Sequence, residues 1–323
     1  MKNTKDMLFS ELLNEWLSSK ALEIEKTTLS DYTRDAKYLS IYFVGKKVSE
    51  ITVKEIRDFY TSEINKGLSA NTVKHRHSII FPALNFALKE LRIIDFNPAT
   101  AVKLPKVRKY VHHVINTDII KQILEDQRDT PMELPIFMAA IYGLRRSEII
   151  GMKWTAFDFK NKVFTMQNTV VRKKINDTIE RLERSYGKNN SSYRQFPIID
   201  ELEDLLNRIK KNHEIYKKNI PYYTTQDEEY LCLNEEGRVL LPEFLTRKFK
   251  KIIKKLGLNN NIRFHDLRHS CATFLYNLGI EAKDMQLWLG HSDISTTLNI
   301  YTHLNFRNKE RTANKLKSVF EKK

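Results

Sequence analysis

The sequence predicts a two-domain, mainly α-helical chain with a small antiparallel β-sheet in its second domain. Three observations predict it. Apolar residues recur at helical spacing through the first hundred residues. A proline-bearing basic segment then interrupts the pattern. Beyond it, a few short alternating stretches are set among further helices. At 323 residues the chain can bury two separate cores. With only 9 Gly and 8 Pro, long disordered tracts are not expected.

Four helices account for residues 1–96. Over 8–20, Leu8, Leu12, Leu13, Trp16 and Leu17 share a face. Over 28–43 the same spacing returns with Tyr32, Ala36, Leu39 and Phe43. Thr52 followed by Glu55 is a capping box opening a third helix, with Ile56 and Tyr60 inward. Ser69 is the N-cap of a fourth, which runs to about Arg92 and is kinked by Pro82. Its first turns carry Lys74, His75, Arg76 and His77, either a grip on phosphates and base edges or a solvated face.

Residues 97–113 read as an extended linker, in which Lys103, Lys106, Arg108 and Lys109 can lie along a nucleic-acid backbone. The second domain, 114–323, opens near Ile115, with Asn116 or Thr117 capping a helix that carries Ile119, Ile120 and Ile123. A longer apolar helix leads into GLRRSE, strands follow in KVFTMQNTVV and SYRQFPI, and from Glu201 the remainder reads mainly helical.

A formal net charge of +15 favours a polyanionic partner through long-range attraction and counterion release. The excess is shared by both domains rather than held in one tail. Two cysteines are too few for a disulfide framework and fit a reducing compartment. Cys271 reads as a core residue. The N-terminus lacks a signal-peptide core, and the longest apolar run, LPIFMAAIYGL, is too short to span a bilayer. The expectation is a cytoplasmic, nucleoid-associated protein without a membrane partner.

Five separated pieces carry the chemistry: Gly143-Leu144-Arg145-Arg146-Ser147-Glu148, Gly187-Lys188, His265-Asp266-Leu267-Arg268-His269, Leu289-Gly290-His291, and Tyr301. Cleaving a phosphodiester places charge on the non-bridging oxygens, which cationic donors stabilise. The planar guanidinium grips such oxygens in pairs, so Arg145 and Arg268 are the candidates. His265 and Arg268 are three apart and share a helical face. Lys188, in a polar turn, can protonate the leaving 5′-oxygen. The Tyr301 phenol can form a covalent phosphotyrosine that keeps the bond energy for rejoining.

GLRRSE, the lysine turn, HDLRH, LGH and the closing IYTH, in this order over residues 143–301, resemble the tyrosine recombinase (phage integrase) family. The resemblance covers nearly the whole chain. It implies that residues 1–96 form the family's helical, SAM-like core-binding domain and 114–323 its α+β catalytic domain. It further implies that Arg145 and Arg268 clamp the scissile phosphate, that His265 and His291 assist, and that Glu148 supports the first arginine. Lys188 would protonate the leaving oxygen and Tyr301 would attack. Two protomers would cut one strand each, pass through a four-way junction, and hand over to the other two. No cofactor and no metal is implied. The implied partners are double-stranded DNA with paired recombination sites, a homotetramer on that DNA, and an accessory factor, excisionase-like or a host DNA-bending protein. The tail after Tyr301, with Leu304, Phe306, Ala313, Leu316 and Phe320, is expected as a helix packing on a neighbouring protomer.

Other readings fit less well. A zinc hydrolase uses two histidines four apart, as His265 and His269 are, but needs Glu where Asp266 stands. A complete set of six catalytic groups argues against a non-catalytic DNA-binding relative. The two-domain layout argues against a type IB topoisomerase. The absence of helices ahead of the core-binding ones resembles the Xer layout. The stretches at 172–186 and 211–230 look more like integrases of phages and integrative or conjugative elements, which is the favoured subtype.

Overall fold

The computed structural model describes residues 6–107, 113–175, 178–186 and 193–294. The chain divides into two compact units: Met1–Tyr110 with Lys173–Ile179, and Val111–Arg172 with Glu180–Lys323.

The first unit is built on α1 (Phe9–Lys20), α2 (Lys26–Tyr42), α3 (Val53–Asn65) and α4 (Ala70–Lys89). The caps are those the sequence predicts. Thr52 Oγ1 accepts from the Glu55 amide at 3.2 Å while Glu55 accepts from the Thr52 amide at 3.0 Å. Ser69 Oγ accepts from the Thr72 amide at 3.2 Å. Leu12, Leu13, Trp16, Leu17, Ala36, Leu39, Phe43, Ile56 and Tyr60 are buried as their spacing predicts, joined by Phe9 and Phe59, while Leu8 is half-buried ahead of α1. Helix α4 continues through Pro82 and ends at Lys89.

The expected extended linker departs from its reading at its start. Residues Pro98–Ala101 form a 3-10 turn capped by Asn97, and Ala99 and Val102 are buried in the first unit's core. Asn97 explains it. Its Oδ1 accepts from the Ala99 amide at 2.9 Å, and its Nδ2 donates to the Phe81 carbonyl and to Asn85. These bonds satisfy backbone groups that an extended chain would leave to water.

The second unit begins with α5 (Thr117–Asp126), capped by Asn116, whose Oδ1 accepts from the Ile119 amide at 2.8 Å. Next come α6 (Glu133–Ala140) and α7 (Arg146–Ile150). The strands are β1 (Phe157–Asp158), β2 (Val163–Met166), β3 (Asn168–Ile175), β4 (Thr178–Ser185) and β5 (Arg194–Pro197). Strand β2 lies antiparallel between β1 and β5, with Phe164 opposite both Phe157 and Phe196. Strands β3 and β4 form a separate two-stranded sheet. The remaining helices are α8 (Asp200–Asn219), α9 (Pro242–Lys255), α10 (Phe264–Asn277) and α11 (Ala282–Leu289). The stretch between α8 and α9, expected mainly helical, holds only turns and isolated bridges.

Helix α10 packs against α6, α9 and α11. An aromatic cluster fixes the elements that matter for the site. Tyr142 stacks on Trp288 at 5.8 Å, Phe196 meets Trp288 edge-on at 5.0 Å, and the Tyr142 hydroxyl donates to the Pro197 carbonyl at 2.9 Å. Tyr142 directly precedes Gly143-Leu144-Arg145, and Trp288 directly precedes Leu289-Gly290-His291. Cys232 and Cys271 are buried free thiols, each pushed up to about 12 by burial, so Cys271 is the core residue its sequence context predicts. No helix among the described residues is long and apolar enough to cross a membrane.

Candidate active site

Three chain segments converge on the C-terminal end of α11. Gly290 ends the helix in the left-handed conformation, φ 64°, which glycine adopts without steric cost. The Gly290 and His291 amides both donate to the Gln286 carbonyl, at 2.8 and 3.1 Å, and Gln286 Nε2 donates back to the His291 carbonyl at 2.9 Å. His291 thus leaves the helix in a fixed direction.

The orphan carbonyls at this helix end are taken by arginines. Arg268 Nη2 donates to the Leu289 carbonyl at 2.5 Å, and Arg145 Nη2 donates to the Gly290 carbonyl at 2.7 Å. Cations at a helix C-terminus also complement its dipole. Arg268 spans two segments, because its Nη1 donates to the Gly143 carbonyl. Gly143 has φ +64°, and a Cβ there would meet Leu289 Cδ2 at 2.5 Å and Cys271 Sγ at 3.2 Å. The turn before Arg145 therefore requires glycine.

Helix α7 starts at Arg146 with Glu148 at its third position. The Glu148 carboxylate accepts from the Arg145 amide at 2.8 Å and from Arg145 Nη1 at 2.7 Å. Its Oε2 also accepts from Arg194 Nη2 at 2.9 Å. Glu148 is 1% exposed. Burial pushes its carboxyl up, but Arg194 and Arg145 outweigh burial and hold it below its usual range. Asp266 caps α10 in the same manner, accepting from the Arg263 amide at 2.8 Å.

Burial, helped by Arg145, lowers the Arg268 guanidinium to about 9, still a cation at neutral pH. His291 is lowered to about 4 by burial and then by Arg268, Arg145, Arg194 and His265. It is neutral at physiological pH and can donate one ring hydrogen without adding a full charge. The His265 ring is exposed, 5.0 Å from that of His269 and edge-on to it.

The structure thus brings together Arg145, Glu148, His265, Arg268 and His291. Lys188, Tyr301 and the C-terminal helix expected after it lie outside the described residues, as do Arg108 and Lys109. Lys74, Lys103 and Lys106 are exposed. Arg76 and His77 sit less openly than Lys74. Arg76 is buried, paired with Glu63 and placed 3.8 Å over the Tyr38 ring, so its guanidinium is held in an internal ion pair. His77 is half-buried, with Nδ1 2.7 Å from the Tyr60 hydroxyl, and burial lowers its pKa.

Two features go beyond the sequence reading. Arg194, whose offset from Lys188 matches the turn that the family resemblance rests on, is buried in β5 and joins the arginine network. Its signal was the alternation in Arg194-Gln195-Phe196-Pro197, which sets an arginine on the inward side with Phe196. Helix α9 buries Leu245, Phe249, Ile252 and Ile253 and exposes Arg247, Lys248, Lys250, Lys251, Lys254 and Lys255. Its signal was a basic run interleaved with apolar residues at helical spacing.

The profile of the phage integrase family matches residues 113–308, more than half of the chain. The chain belongs to the phage integrase family. A second profile, for the phage integrase N-terminal SAM-like domain, matches residues 8–64. As a member, this chain is a tyrosine-type site-specific DNA recombinase. It is 28% identical to a tyrosine recombinase XerC-like protein of Caldanaerobacter subterraneus subsp. tengcongensis, over 98% of this chain and 84% of that one. It is 22% identical to the integrase of Staphylococcus phage L54a, over 93% of this chain and 90% of the other. Its fold is similar to that of a Tn1549 transposon integrase solved with a circular intermediate DNA, with TM-score 0.79 and 20% identity, covering 96% of this chain and 99% of that one. A lambda integrase tetramer bound to a Holliday junction shares the fold at TM-score 0.67 and 18% identity, over 93% and 78% of the two chains.

Proposed function

We propose that this recombinase cuts and rejoins duplex DNA by transesterification at a phosphodiester, with Tyr301 as nucleophile. The observation that carries the reading is the pair Arg145 and Arg268, held on adjacent carbonyls beside a neutral His291. This is a preorganised cationic seat for charge developing on the non-bridging oxygens. The Tyr301 oxygen forms a bond to phosphorus and the bond to the 5′-oxygen breaks. Lys188 supplies the proton to that oxygen, and the phenol proton passes to a neighbouring base, for which exposed His265 is suited. The product is a 3′-phosphotyrosine and a free 5′-hydroxyl, and attack by a partner 5′-hydroxyl reverses the step. Glu148 acts through Arg145. The DNA backbone is held by Lys74, by the linker cations Lys103, Lys106, Arg108 and Lys109, and by the exposed face of α9.

Four protomers on two paired sites complete the exchange through a Holliday junction, aided by an excisionase-like or DNA-bending factor. The physiological event is integration and excision of a mobile element, a reading supported by the β3–β4 hairpin in the stretch that resembles element integrases. The XerC-like relative favours a second reading, resolution of chromosome or plasmid dimers. Exchange confined to directly repeated sites on one circle selects the second; joining of separate circles to a target site selects the first.

A nicked suicide duplex carrying the cognate site tests the chemistry. The wild type is expected to become covalently attached, and Tyr301→Phe is not. A wild type that binds the site without any adduct is instead a non-catalytic binder.

A further inference from the structure

We propose that Arg194 is a positioning residue for strand cleavage, tying the Glu148 carboxylate to the end of α11 so that Arg145, Arg268 and His291 face one phosphate. The proposal rests on the transesterification reading above and adds a residue to it.

Arg194 sits on β5, on the same side of the strand as Phe196. Its side chain is only 6% exposed, against 36% for Arg145. It is therefore poorly placed to meet a substrate from solvent. Its fork reaches two other elements. Nη2 donates to Glu148 in α7 at 2.9 Å, and Nη1 donates to the Leu289 carbonyl of α11 at 3.2 Å. The first partner is the carboxylate that holds Arg145, and the second is the carbonyl that holds Arg268. One buried guanidinium thus touches the supports of both clamping arginines. The planar fork is suited to this because its donors point in fixed directions, which a lysine ammonium does not reproduce. The charge matters as well. Glu148 faces three arginines, Arg194, Arg145 and Arg268, and the same three cations also act on His291. Small displacements of such supports reach the chemistry, since about 1 Å of misplacement can cost about 100-fold in rate.

The test is single-turnover cleavage of the nicked duplex, with DNA affinity and the titration of the His291 ring followed by NMR. Arg194→Gln is expected to cleave about 100-fold more slowly, with affinity changed less than about two-fold if the residue touches no DNA. Among the described residues, the charged groups that most lower the His291 pKa are Arg268, Arg145, Arg194 and His265. Removing one cation lets the imidazole protonate more readily, so its titration rises from about 4 toward the ordinary histidine range. Arg194→Lys is expected to restore that titration but not the rate, because it returns charge without the fork. In a double-mutant cycle, adding Glu148→Gln to Arg194→Gln slows cleavage no further than the worse single variant. Should Arg194→Gln fail to fold by thermal melting, Arg194→Lys carries the test, and wild-type cleavage by it overturns the proposal. Additive losses in the cycle, or an unchanged rate in Arg194→Gln, also overturn it. A wild type that forms no adduct overturns the transesterification reading itself. A wild type that cleaves while Arg194→Gln cleaves as fast overturns only the role of Arg194.

Discussion

Arg76 shows how one side chain changes meaning once its partners are known. In sequence it sits between Lys74, His75 and His77, in a run that suits phosphate contacts. In the fold its guanidinium pairs with Glu63, which is 0% exposed and also accepts from the Tyr38 hydroxyl at 2.8 Å and from Lys66 at 3.1 Å. Removing one partner of a buried pair costs up to about 3 kcal/mol, part of which Lys66 still offsets at Glu63. Arg76→Ala is therefore expected to lose stability of that order in urea unfolding, while the salt dependence of DNA affinity stays unchanged. A flatter salt dependence with intact stability would return Arg76 to the DNA face. The exposed neighbour Lys74 keeps its candidacy.

At the scale of elements, turns and helix ends carry the site more than helix bodies do. Gly143 and Gly290 are both left-handed, and each presents a carbonyl to an arginine of the cluster. Gly143→Ala forces a side chain into that conformation, at roughly 1–2 kcal/mol, and pushes against Leu289, whose carbonyl holds Arg268 and Arg194. The expected outcome is a modest drop in melting temperature with a much larger loss of cleavage rate, DNA affinity being kept. Equal, small losses in both would show that the turn can shift without moving the arginines. The capping residues Thr52, Ser69 and Asn116 were legible because each acts within four residues of chain. The packed turn at 97–102 was not, since Asn97 finds its partners in α4.

For the whole molecule, the formal charge of +15 names a kind of partner without placing it. The fold places part of it on one face of α9, where the apolar residues turn inward and the cations outward. Each phosphate contact adds about 0.9 to the slope of log affinity against log salt. Changing Arg247, Lys250, Lys251 and Lys254 together to Gln is expected to flatten that slope by about 3–4, without altering the cleavage rate at saturating DNA. Neutralising Lys103, Lys106, Arg108 and Lys109 tests the linker in the same way. An unchanged slope in either variant removes that surface from the interface.

The sequence alone determined the mainly helical plan, the starts of helices α1 to α5, and, as a proposal, the ordered set Arg145, Lys188, His265, Arg268, His291 and Tyr301. Periodicity, capping and motif spacing are local properties of a chain, and a linear reading recovers them. The tertiary structure alone decided which cations meet. Arg145 finds its acceptor 145 residues away at Gly290, Arg268 finds Gly143 at 125, and Arg194 finds Leu289 at 95. These pairings go together with the aromatic cluster of Tyr142, Phe196 and Trp288, which packs their segments against one another. For the same reason Arg76 is found paired with Glu63 inside the first unit, and Arg194 beside Glu148 and Leu289. Burial and the need for a partner, rather than charge itself, set what an arginine does.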